Sequence, residues 1–95
     1  PIVAVADGLV ILAETRNGFG RTVELRHGNG LVTRYAHNQE LKVKEGELVK
    51  QGQVIATLGS SGRATGPHLH FEVLKDGEQV NPLNFVGVKK RESKG

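Results

Sequence analysis

An all-β domain, built as a compact sandwich or an open barrel, is the fold class the sequence predicts. Three observations predict it. Thirteen glycines and three prolines punctuate all 95 residues, which suits short strands and tight turns. Several segments alternate apolar and polar residues with period two. No stretch sustains a helical period.

The elements follow in chain order. Val3 to Ala13 is β-rich and breaks at Asp7-Gly8, a favoured turn dipeptide. Gly18-Phe19-Gly20 makes a second break. The runs Arg21–His27 and Leu31–His37 then alternate around Gly28-Asn29-Gly30, a strong hairpin signal. Alternation puts His37 at the end of a strand, on the same face as Tyr35. Two similar Gly-centred turns follow, at Glu45-Gly46-Glu47 and Gln51-Gly52-Gln53. Val54–Leu58 reads as a buried strand, and Gly59–Pro67 as a small-residue loop. His68–Leu74 is another alternating strand, and Asp76-Gly77 turns it back toward Gln79-Val80. Asn81-Pro82-Leu83-Asn84-Phe85 closes the domain, taken as residues 1–86. Residues 87–95 are predicted to be a basic, disordered tail.

Charge narrows the function classes. The formal net charge is +3. Four of the bases, Lys89, Lys90, Arg91 and Lys94, lie in the last seven residues. Residues 1–88 carry nine bases and nine acids, so the body is neutral. Only four aromatic side chains are present. A neutral body poor in stacking residues argues against a nucleic-acid partner. No apolar run reaches the roughly 18–20 residues of a membrane helix. Without cysteine, Cys-ligated zinc and iron–sulfur sites are excluded. Without methionine, Pro1 is not a translation start, and the chain is expected to be a processed product or a fragment.

The informative chemistry is His68-Leu69-His70. Residues i and i+2 of a strand share a face. Both imidazoles are therefore expected to project together, with Leu69, Phe71 and Val73 toward the core. Such a pair can ligate a metal, or supply one ligand and one base. Two exposed surface histidines are the plainer alternative. His37 and His27 taken singly read as structural residues. The carboxylates Asp7, Asp76 and Glu78 read as solvated turn residues. The loop Gly59–Gly66 lacks the Gly-Lys-Ser/Thr ending of a phosphate cradle. No Gly-x-Ser-x-Gly nucleophile elbow occurs.

Longer motifs sharpen the reading. They are Ala4-x-x-Asp7-Gly8-x-Val10, Tyr35-Ala36-His37, and Val43-x-x-Gly46-x-x-Val49-x-x-Gly52-Gln53-x-Ile55. Gly62-x-x-x-Gly66-Pro67-His68-Leu69-His70-Phe71-Glu72 and Val80-Asn81-Pro82 follow. Together they resemble the lysostaphin/LytM-type zinc metallopeptidases, over Pro1 to about Phe85. The resemblance implies a fold of the duplicated-hybrid-motif type and hydrolysis of peptide cross-links in bacterial peptidoglycan. It implies one zinc ion with His70 as a ligand, and His37 and His68 as catalytic groups in proton transfer and stabilisation of the tetrahedral intermediate. It implies peptidoglycan peptide stems as substrate, other wall enzymes as partners, and a periplasmic or extracellular setting.

One departure stands out. The family's upstream His-x-x-x-Asp motif, which brings two further ligands, is absent from this sequence. The 95 residues alone are therefore expected to be inactive, as the later part of a catalytic domain. The alternative is a non-catalytic relative that binds the wall or activates wall amidases. Retention of His37, His68 and His70 favours the peptidase. A biotinyl- or lipoyl-type carrier is disfavoured, because the hairpin tip Gly28-Asn29-Gly30 has no lysine.

Overall fold

The computed structural model describes residues 1–59 and 70–81. Among these it holds eight strands and no helix. The strands are β1 (Ile2–Val3), β2 (Gly8–Arg16), β3 (Gly20–Gly28), β4 (Leu31–Leu41), β5 (Leu48–Val49), β6 (Val54–Leu58), β7 (His70–Lys75) and β8 (Glu78–Val80). They form one sheet in the order β1-β6-β4-β3-β2-β5, with β7 joined to β4 and β8 to β7. Every pairing is antiparallel. The sheet curls into a half-barrel, the open-barrel form of the expected fold. The predicted loop Gly59–Pro67 beyond Gly59, His68, Leu69 and everything after Asn81 lie outside the described residues.

Turn chemistry sets the register. Asn29 and Gly30 have φ of 54° and 76°, and both sit between β3 and β4. Two successive left-handed residues match the twist of the flanking strands. Asp76 and Gly77, at 53° and 88°, repeat the device between β7 and β8. The two Gly-centred turns share a mechanism as well as a spelling. The Lys44 amide donates to Glu47 Oε1 at 2.6 Å, and the Lys50 amide to Gln53 Oε1 at 3.1 Å. Asp7 is more than a solvated turn residue. Its Oδ1 accepts the Gln51 amide at 2.7 Å, so it caps the second of these turns.

The core gathers on one face of the long strands. Val10, Val23, Leu25, Tyr35, Ile55 and Ala56 are its most buried apolar members. β6 was expected to be buried throughout. Only Ile55 and Ala56 at its centre are covered, whereas Val54 and Leu58 at its ends are exposed. A polar chain crosses the same core. The Val5 amide donates to the Tyr35 hydroxyl at 3.2 Å, which lies 2.9 Å from the Thr33 hydroxyl. Thr33 lies 2.7 Å from His27 Nε2, and His27 Nδ1 lies 2.7 Å from the Asp7 carbonyl. A carbonyl only accepts, so Nδ1 is the protonated nitrogen. His27 is thus a structural tie between β3, β4 and the β1–β2 connection.

Burial pushes the Tyr35 phenol above its ordinary 10.0, and the hydrogen bonds with Thr33 and Val5 oppose that rise. The folded state therefore favours the protonated phenol. Below about pH 10 this contribution is complete in both reference states; it is lost as pH rises from there through the raised folded value. We expect the urea midpoint to fall on this alkaline arm, and Tyr35→Phe to make that arm shallower. Identical alkaline slopes for the two proteins would contradict this.

Candidate active site

The site sits where the sheet splits. One edge of β4 pairs with β3. The other edge changes partner: β7 covers Leu31–Ala36, and β6 covers Asn38 to Leu41. His37 lies at the change. Arg21 pairs Asn38 and Val23 pairs Tyr35, so Thr22 faces both Ala36 and His37. Two residues against one make a β-bulge. His37 accordingly has φ of 61°. A left-handed non-glycine costs about 1–3 kcal/mol and persists only where its surroundings enforce it. Here the enforcement is visible. Asn38 Nδ2 donates to the carbonyls of Tyr35 and Arg21, both at 2.9 Å. The His37 amide donates to the Phe19 carbonyl at 2.8 Å.

The bulge corrects two expectations for His37. The residue does not end its strand, because β4 runs on to Leu41. Nor does its ring share the Tyr35 face. The extra residue resets the alternation, and the His37 ring stands edge-on to His70, with centroids 5.5 Å apart and planes at 81°. Tyr35 instead packs against Phe71 at 5.4 Å.

β7 brings His70 to this point by pairing it with Ala36. Its alternation is as expected. Val73 is buried and Phe71 packs on the core, while His70 and Glu72 take the opposite face. His68 falls outside the described residues, so the two-histidine face is represented here by His70.

Three charged residues join the histidines; the sequence motifs include Glu72 but attach no role to it, to Arg34 or to Glu24. Glu72 Oε2 lies 2.7 Å from His70 Nε2. Glu72 Oε1 accepts from Arg34 Nη1 at 2.6 Å, and Arg34 Nε donates to Glu24 Oε2 at 2.8 Å. Glu24, Arg34 and Glu72 run straight across β3, β4 and β7, since Glu24 pairs Arg34 and Arg34 pairs Glu72, and the row then turns along β7 to His70. Burial works against the Arg34 charge, and the hydrogen bonds and charges of Glu24 and Glu72 outweigh it, pushing the guanidinium pKa above its ordinary value. Phe19, from the β2–β3 turn, closes the site. Its ring lies 5.2 Å under the Arg34 guanidinium carbon and 5.9 Å from the His70 ring. Signals for these partners existed in the sequence. Glu72 follows His70 at strand spacing, and opposite charges at Glu24 and Arg34 fall opposite each other across the Asn29-Gly30 hairpin.

The donor chemistry fits one ligand position. A carboxylate only accepts, so Nε2 of neutral His70 carries the proton and Nδ1 keeps its lone pair. Imidazole held through one nitrogen by a carboxylate is the usual arrangement of a metal-ligating histidine. A hydrolytic zinc needs three protein ligands. Among the described residues, no group of three His, Cys, Asp or Glu side chains could hold a metal ion. They therefore fall short of a complete metal site.

Comparison with known proteins places this geometry. The profile of peptidase family M23 matches residues 1–82. Over 82 residues the chain is 50% identical to the peptidoglycan DD-endopeptidase ShyC of Vibrio cholerae, covering 86% of this chain and 19% of that protein. It is 43% identical over 86 residues to the murein hydrolase activator EnvC of Escherichia coli, covering 90% of this chain and 20% of that protein. The chain thus spans about a fifth of the length of these curated relatives. The catalytic domain of lysostaphin from Staphylococcus simulans superposes with a TM-score of 0.86 at 32% identity, covering 92% of this chain and 70% of that one.

Proposed function

This chain belongs to peptidase family M23, and from that premise we propose that it carries the histidines of a zinc-dependent endopeptidase that hydrolyses peptide cross-links in bacterial peptidoglycan. The observation that supports it best is the His37–His70 pair, 5.5 Å apart and built by a bulge that costs energy to hold. Bulges recur next to active sites, where they re-aim a side chain. In this reading His70 is a metal ligand, and His37 and His68 are the catalytic groups. Bound zinc would lower the pKa of water to about 7 and polarise the scissile carbonyl. The ligands that complete its site would be residues other than those described.

His37 has the chemistry of a proton carrier. Its ring is mostly buried yet faces the site, and its backbone is pinned by Phe19. A neutral imidazole so placed accepts a proton from an attacking water and returns it to the leaving amine. The neutral body of the domain suits an uncharged peptide bond as substrate, and the setting would be the cell envelope or the extracellular space.

A second reading has one observation in its favour: a relative that activates murein hydrolases, EnvC, is 43% identical. It would make the chain a non-catalytic module acting on partner enzymes. Elemental analysis separates the two. The whole protein carrying this chain is expected to hold about one zinc, and His70→Ala to lose most of it. Unchanged zinc in His70→Ala would contradict the ligand assignment.

A further inference from the structure

Glu24, Arg34 and Glu72, which lead to His70, have no part in the function proposed so far. We propose that Arg34 is a positioning residue, which clamps Glu72 so that His70 is held as its Nε2–H tautomer with Nδ1 directed into the site. The consequence for metal binding rests on the peptidase reading above; the clamp itself does not.

The geometry carries the inference in three steps. Glu72 uses its two oxygens for two different partners, Arg34 Nη1 and His70 Nε2. Its side chain is only 7% exposed, so water does not compete well for either oxygen. A buried carboxylate held on one side by a guanidinium has one direction left in which to present the other lone pairs. That direction is toward His70. Arg34 is itself fixed from two further sides. Glu24 takes Nε, and the Phe19 ring lies beneath the guanidinium. A planar fork can serve two carboxylates and an aromatic face at once, which a lysine ammonium cannot. The ring of His70 is then bounded by Glu72, Phe19 and His37. Removing Arg34 would leave Glu72 free to rotate and would release the constraint on which His70 nitrogen carries the proton.

The test reads the tautomer directly. Long-range 1H–15N correlation spectra of the 95-residue chain, recorded where His70 is neutral, should show a single Nε2–H form in the wild type. Arg34→Gln should give a mixture of tautomers at His70 while Val23 and Leu25 resonances in the core stay in place. Glu24→Gln should leave the tautomer as in the wild type, and Arg34→Lys should restore it in part. In the whole protein, Arg34→Gln should lower zinc affinity about 10- to 100-fold. Protonation of wild-type His70 on Nδ1 would overturn the proposal without any variant. So would a folded Arg34→Gln that keeps a single Nε2–H form. Should Arg34→Gln not fold, Arg34→Lys with an unaltered tautomer and unaltered zinc affinity overturns it. If the clamp is found but the whole protein holds no zinc and hydrolyses no peptidoglycan, the peptidase reading fails and the clamp stands.

Discussion

His37→Ala in the whole protein should lower kcat for peptidoglycan hydrolysis by about 10²- to 10⁴-fold, the range for losing a general acid–base group. Zinc content should be unchanged, because His37 is assigned to proton transfer and His70 to the metal. The fold should survive. The left-handed conformation at residue 37 has φ of 61°, and the bulge is held by Asn38 and by the residue-37 amide on the Phe19 carbonyl, none of which the substitution removes. His37→Gly, which tolerates that φ more easily, should be equally inactive. Retention of full kcat by either variant would remove His37 from the mechanism. Loss of zinc in either would move it into the ligand set.

Gly59→Ala should be the costliest small substitution near the site. A Cβ there would lie 2.5 Å from the Gln39 amide nitrogen, 2.7 Å from its Cα and 2.8 Å from its Cβ. Backbone cannot swing aside as a flexible side chain can. The end of β6 would have to leave β4, and the Asn38–Leu58 pairing and the Glu40 amide bond to Thr57 Oγ1 would go with it. Overpacking of this kind costs about 1–3 kcal/mol or more. For a domain of this size each kcal/mol lowers Tm by roughly 4–8 °C. A thermal melt of the 95-residue chain checks this, and a Tm within about 2 °C of wild type would contradict it. Because Asn38 also braces the bulge, hydrolysis by the whole protein should fall below what lost stability explains.

Much of this was legible in the sequence. Period-two alternation around Asn29-Gly30 and Asp76-Gly77 gave two hairpins, because turn type and strand register are both local. Phe71 and Val73 went to the core for the same reason. His37 was assigned to the wrong face because a bulge is not local. It arises where β4 changes partner from β7 to β6, segments distant in the chain. Asp7 was underestimated because its partner, Gln51, is 44 residues away. Arg34 reads as an ordinary surface charge, and Glu72 closes a motif without a role attached to it. Only the pairing of three strands shows that their row ends on a histidine.

In the proposed function this domain's histidines cut peptide cross-links rather than recruit another enzyme to do so. Purified peptidoglycan incubated with the whole protein alone, free of any amidase, tests it most directly through mass spectrometry of the released fragments. Cross-linked peptides should be split into monomers with the glycan–peptide amide intact, and His37→Ala and His70→Ala should lose that activity. No cleavage by the protein alone, with amidase stimulation that both variants retain, would contradict it.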